Sequence, residues 1–229
     1  MADIKVDLLD HMGSDLDVVN AARVSFDKES ELEPYGWGPE SHLDLSHKDC
    51  CLIDYLATHN HWSPFTHCFL KFRVKAPIFV ARQLAKHQVG LSWNEVSRRY
   101  VDSEPEFYEP KEWRKRAENI KQGSSSDIVE DVDSLSLMVS QNDDCQLNVY
   151  KELLASGVCP EQARMVLPQS MMTEWIWSGS LYAFARVVKQ RLDGHAQREC
   201  AEVAIPISDH CATLFPVSWA ALVPAVPSH

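Results

Sequence analysis

Apolar and polar residues alternate from residue 3 to residue 9, the period of a strand with one buried face. Asp15 then stands where a helix should begin, and Val18, Val19 and Ala22 recur at helical spacing up to Arg23. Both periods fail between Lys28 and Lys48, where Pro34, Gly36, Gly38 and Pro39 predict a surface loop. Helical spacing resumes from about Cys50 to Asn60. Phe69 to Val74 alternates as a strand, and Pro77 suits the first turn of a helix running to about Gln88, because its missing N–H costs nothing there. A Gly/Ser-rich break at Gly123 to Ser126 precedes a long helical pattern, about Ile128 to Ser156, ended by Gly157 and Pro160. Beyond it the spacing reads as helical over 160–166, 170–190 and 195–214, with Pro206 kinking or dividing the last. No internal repeat is present. Strands early and helices late predict an α+β fold: a small, mainly antiparallel sheet flanked by helices, with a helical C-terminal half.

Composition narrows this picture. The 229 residues are 45% hydrophobic and 24% charged, an ordinary soluble balance, and no change of composition divides them, so one domain over 1–229 is expected. A formal charge of -11 argues against a broad nucleic-acid surface but leaves room for a single small anion. The cysteines are odd in number and form no Cys-x-x-Cys pair, which predicts neither a disulfide framework nor a zinc ribbon and fits a reducing cytoplasm. The N-terminus lacks a basic segment followed by an apolar run, and no stretch of about 18 apolar residues occurs, so neither secretion nor a membrane span is expected.

The chemistry concentrates between residues 82 and 100. In the predicted helix ending near Gln88, the residues Gln83, Lys86 and His87 project from one face, while Ile78, Ala81 and Ala85 can turn inward. The segment SWNEVSRRY follows, with Glu95, Ser97 and Arg99 at every second position. If extended, it shows all three on one side. A carboxylate, a hydroxyl and a guanidinium together can accept from an imide N–H, donate to a carbonyl and fork onto a phosphate, as a pyrimidine nucleotide requires. Spacing alone favours the plainer reading, an edge strand with a solvated Glu–Arg pair.

The segment ARQLAKHQVGLSWNEVSRRY resembles the signature of flavin-dependent thymidylate synthases. In that family an Arg-His-Arg triplet is followed, after seven or eight residues, by a serine within an Asn-Glu-x-Ser-x-Arg-Tyr run. Here the triplet reads Lys86-His87-Gln88, eight residues separate it from Ser97, and Asn94 to Tyr100 match in full. AARVSFD at 21–27, HWSPFTH at 61–67 with KAPIFVARQ at 75–83, ARMVLP at 163–168 and RLDGHAQ at 191–197 resemble further family blocks in family order.

The resemblance implies reductive methylation of dUMP, with FAD as cofactor and with 5,10-methylenetetrahydrofolate and NADPH as co-substrates. It also implies a homotetramer whose sites are shared between subunits. For the nucleotide it implies Gln83, Lys86, Glu95, Ser97, Arg98, Arg99, Arg164 and Arg191. The arginine matching Arg191 would bind the uracil and stabilise its ionised form, which is electrostatic catalysis. Ser97 would orient or polarise dUMP; a nucleophilic serine needs an adjacent base, and its own segment supplies none. For FAD the matching positions are His61, Ser63, Lys86, His87, Gln88, Glu95 and His195. If residues 191–195 are helical, one turn carries both a nucleotide and a flavin contact.

Lys86 and Gln88 depart from the two arginines of the family triplet. Lysine keeps the charge without the planar fork, and glutamine loses the charge. The departures raise a second reading, a flavin- and nucleotide-binding protein of the same fold with impaired turnover. Arg186 and Gln190 also differ from expectation and are given no role. His59, His61 and His67 invite a metal reading, but no thiolate or carboxylate stands at suitable spacing, so no metal is expected. His59 reads instead as a favourable cation at a helix C-terminus. Trp175 and Trp177, with Met171, Met172 and Ile176, read as helix core rather than a base-stacking platform.

Overall fold

A computed structural model describes residues 2–35, 42–101, 103–117 and 124–224. Gly36, Gly38 and Pro39 of the expected loop, and Gly123 of the expected break, lie outside these residues. The centre is a four-stranded antiparallel sheet of β1 (Lys5–Met12), β4 (Phe69–Pro77), β8 (Met172–Ser180) and β5 (Leu91–Glu95), in the order β1-β4-β8-β5. Phe72 lies opposite Trp177 and Val74 opposite Trp175, while Trp93 lies opposite Trp177, so these side chains share one face. That face is buried. The other carries an exposed ionic row: Lys71 with Asp10, Arg73 with Glu174 and Lys75 with Glu106. This division is what an antiparallel sheet covered on one side requires.

Helices cover the apolar face. In α1 (Asp15–Arg23) Val18 and Val19 point inward, as do Ile53 and Leu56 of α2 (His47–Thr58). Leu181, Phe184 and Val188 of α6 (Leu181–Arg191) form a stripe. Cys200, Val203, Ala204, Ile207 and Cys211 of α7 (Arg198–Leu214) form another. The core closes with Trp219 and Leu222 of α8 (Pro216–Leu222). A separate cluster joins Leu147 and Tyr150 of α4 (Val132–Ala155) to Ala163 of α5 (Pro160–Ala163). The helix α3 (Ile78–Leu84) follows β4 directly and adds Val80, Ala81 and Leu84 to the main core. Among the described residues no helix is long and apolar enough to cross a membrane.

The α+β architecture stands, with several corrections. The largest concerns 170–190, read as helix, where residues 172–180 form the strand β8 in the middle of the sheet. Trp175 and Trp177 are core residues, but of a sheet. The helix expected to reach Gln88 ends at Leu84, and the buried residues on it are Val80, Ala81 and Leu84, with Ile78 and Ala85 only half-buried. The preceding strand runs on through Pro77, which serves as the helix N-cap. The expected loop at 28–48 contains the hairpin β2 (Glu33–Tyr35) and β3 (His42–Asp44), and α2 starts earlier than read because Ser46 caps it by accepting from the Asp49 N–H at 3.2 Å. Ile128 belongs to β7 (Ser124–Ile128), paired with β6 (Arg114–Arg116). The long helix begins only after the Asp131 cap. Pro206 does not divide α7.

Candidate functional site

The predicted site residues fall into separate groups. At the α3–α6 corner, Arg191 ends α6 and donates from Nε to His87 Nε2 at 3.0 Å and from a terminal nitrogen to the Gln83 carbonyl at 3.5 Å. These contacts exist because α3 stops early: the chain turns after Leu84, where the His87 N–H bonds the Leu84 carbonyl, and brings the imidazole back toward α6. Burial, then Arg191 and Arg186, push the His87 pKa down to about 4. The ring is therefore neutral near pH 7, accepting at Nε2 and keeping its proton on Nδ1. Cys200 donates its thiol to Gln83 Oε1 at 2.8 Å, and burial raises that thiol to about 11, so it remains a donor.

Gln83 and Arg191 face a cleft of about 860 Å³ with His195, Lys189, Asp193 and Arg114. Residues 192–197 are not helical, contrary to the condition placed on Arg191 and His195. The His195 N–H instead bonds the Asp193 carboxylate at 3.0 Å, and the turn still brings both residues to one cleft. Lys86 and Gln88 are exposed. With α3 ended, Lys86 and His87 do not continue a helix face with Gln83.

His61 and Ser63 lie elsewhere, in a second cleft of about 750 Å³ with Arg23, Lys28, Tyr55 and Trp62. Tyr182, at the start of α6, bonds Asn60 of this cleft at 3.0 Å, while Arg191 at the end of α6 faces the first. Nine residues of helix, about 14 Å, separate the two ends. His59 caps α2, its Nδ1 lying 2.9 Å from the Tyr55 carbonyl, at the helix end where a cation is favoured.

The third group follows β5. Glu95 ends the strand and accepts from Thr173 Oγ1 at 2.7 Å and from Trp93 Nε1 at 3.1 Å. The chain then turns, with the Tyr100 and Val101 N–H groups bonding the Ser97 carbonyl. Glu95, Ser97 and Arg99 thus do not line one strand face as expected; the extended run is too short. Ser97 Oγ accepts from Arg99 Nε at 3.3 Å, and the Arg99 guanidinium lies 5.0 Å from the Tyr100 ring centre. Arg98 donates to the Ser103 carbonyl. Among the described residues no base contacts the Ser97 hydroxyl, so its geometry suits orientation, not nucleophilic attack. Arg164, exposed in the turn after α5, donates from its side-chain Nε to the Glu161 carbonyl at 3.2 Å.

The sequence reading missed Arg114, Lys189, Asp193 and Cys200 in or behind the first cleft. The only local signal was the basic run around Arg114 to Arg116. Arg186, given no role, acts on His87 through its charge.

Residues 7–217 match the family described as thymidylate synthase complementing protein. A flavin-dependent thymidylate synthase of Thermus thermophilus is 40% identical over 216 residues, 94% of this chain and 74% of that protein. One from Thermosipho africanus is 39% identical over 203 residues, 88% of this chain and 83% of its own length. The crystal structure of the UMP/dUMP methylase PolB from Streptomyces cacaoi, bound with 5-Br dUMP, superposes with a TM-score of 0.82 at 32% identity, covering 96% of this chain and 94% of that one. A match this long in sequence and in fold leaves one conclusion, that the chain belongs to the flavin-dependent thymidylate synthase family.

Proposed function

We propose that this protein methylates dUMP to dTMP, with FAD as cofactor, 5,10-methylenetetrahydrofolate as carbon donor and NADPH as reductant. It would act in the cytoplasm as a homotetramer with shared sites. The observation that carries this reading is Arg191, fixed by neutral His87 and the Gln83 carbonyl at the wall of a cleft large enough for a nucleotide. A guanidinium held in place before substrate arrives stabilises a developing negative charge on the uracil ring without reorganising at the moment of reaction. Neutral His87 supports this: a protonated ring could not accept from Arg191 and would repel it. Gln83, with its side-chain Oε1 engaged by Cys200, offers its side-chain amide N–H groups to the ligand. Ser97 and Arg99 would orient the nucleotide, and Arg98 and Arg164 with Lys86 would add positive charge around its phosphate.

The first cleft fits a flavin nucleotide by its donor set. Arg114, Lys189 and Arg191 face a single carboxylate, Asp193, and suit phosphate groups. His87, His195, Lys86, Gln88 and Glu95, with His61 and Ser63 of the second cleft, are the residues that would hold FAD. When bound, FAD carries the reducing equivalents that convert the transferred carbon to a methyl group. The spread of these positions over two clefts and two exposed turns supports a site completed by another copy of the chain. All seven cysteines are free thiols, which suits a reducing compartment.

The test is tritium release from ring-labelled dUMP, with FAD, NADPH and methylenetetrahydrofolate supplied together and each omitted in turn. Release requiring all three is expected. No release with flavin visibly bound would support the impaired-turnover reading and make Lys86→Arg and Gln88→Arg the next substitutions to test.

A further inference from the structure

We infer that Arg114 holds a phosphate ester in the first cleft and that Glu199 positions it, an inference that rests on the nucleotide-binding reading above. Arg114 stands between two unlike cavities. One is the cationic first cleft; the other is a smaller cavity of about 160 Å³ whose wall includes Glu112, Glu199 and Glu202. On the acidic side, one terminal nitrogen of the guanidinium donates to both Glu199 oxygens, at 2.9 and 3.0 Å. Its Nε donates to Ser124 Oγ at 2.8 Å. The pair is secluded, with side chains 17% and 8% exposed. Arginine has five N–H donors, and among the described residues the other terminal nitrogen has no acceptor.

A buried carboxylate that needed only neutralising would not require its partner to line a second cavity, since ion pairs of this kind can be replaced by apolar residues at little cost. The clamp has another consequence: with two nitrogens anchored, the fork loses little freedom when it meets an anion. Charge points the same way. Arg114, Lys189 and Arg191 against Asp193 and the Glu199 that pairs with Arg114 leave a net of one positive charge, 3 − 2, in a chain whose formal charge is -11. Such a local reversal of sign concentrates anions. The ligand chemistry is a phosphate ester, from either the 5′-phosphate of dUMP or the pyrophosphate of FAD.

The experiment measures dissociation constants of dUMP, deoxyuridine, FAD and riboflavin for the full-length protein, by calorimetry and flavin fluorescence. It compares wild type, Arg114→Gln, Arg114→Lys and the double variant Arg114→Gln/Glu199→Gln. Arg114→Gln is expected to weaken either dUMP or FAD by about tenfold or more, while deoxyuridine and riboflavin change by less than about twofold. The ligand affected identifies the source of the phosphate. Arg114→Lys should recover part of the loss, and the double variant should bind as poorly as Arg114→Gln. Unchanged affinity for both phosphate ligands, an equal loss for their dephosphorylated counterparts, or recovery in the double variant would each overturn the inference. Wild-type protein that binds dUMP and FAD but releases no tritium would contradict the turnover reading alone; wild type that binds neither contradicts both.

Discussion

At the α3–α6 corner, Arg191 is half-buried and its partners, His87 and Gln83, come from the same chain. The turns after β5 and α5 are built differently: Arg99 and Arg164 are exposed, and among the described residues their side chains hydrogen-bond only to neighbours within three residues. The first arrangement is organised before any ligand arrives, and local packing maintains it. The second has the right donors with little to hold them, and becomes a site only when something else supplies the opposite wall. Substitutions at the corner should therefore disturb structure and chemistry together, whereas those on the turns should disturb chemistry alone.

The largest effect expected is at Arg191. Arg191→Ala should lower kcat/KM by about 100-fold or more, as loss of a preorganised donor does elsewhere. Steady-state tritium release measures it, and a loss under about fivefold would remove Arg191 from the chemistry. Next is Gly179, where β8 meets the start of β5. An added Cβ would lie 2.5 Å from both the Gly90 carbonyl oxygen and Leu91 Cδ2, so Gly179→Ala should destabilise the fold by about 1–3 kcal/mol in urea unfolding. A neutral result would mean that β5 can shift freely. Arg99→Ala and Arg164→Ala should each change stability by less than about 0.5 kcal/mol while lowering turnover. A large loss of stability from either would erase the contrast between the regions.

A pH dependence also belongs to the corner. An unfolded histidine takes up its proton near pH 6.5, whereas burial and the nearby arginines hold folded His87 at about 4. Between these values the unfolded chain binds more protons, so stability should rise with pH from about 4 to about 6.5, and this contribution should be complete above that range. His87→Asn should remove that part of the slope in denaturation curves recorded across pH.

What the sequence concealed follows from the same physics. The one-sided strands were legible: β4 alternates buried Leu70, Phe72 and Val74 with exposed Lys71 and Arg73. β8 was read as helix because its outward positions mix apolar Ile176 with Glu174 and Ser178, which blunts the alternation; the β-favouring Thr173, Trp175 and Trp177 at every second position were the remaining signal. The family blocks pointed to Arg191, His87 and Gln83, but not to their contacts, because those depend on α3 ending at Leu84. Arg114 and Cys200 stayed hidden because each is tied to the site by a partner distant in sequence, Glu199 holding Arg114 and Gln83 accepting from Cys200.

The division between a self-contained corner and turns that need completion is tested most directly by mixing two impaired variants, Arg191→Ala and Arg164→Ala, under conditions of subunit exchange and measuring tritium release from dUMP. If a site takes its corner from one copy and its turns from another, random mixing should return about a quarter of wild-type activity, because about a quarter of sites then receive both intact arginines. No recovery, in a mixture shown by native mass spectrometry to contain both variants in one oligomer, would place both arginines of a site in one chain and contradict the account.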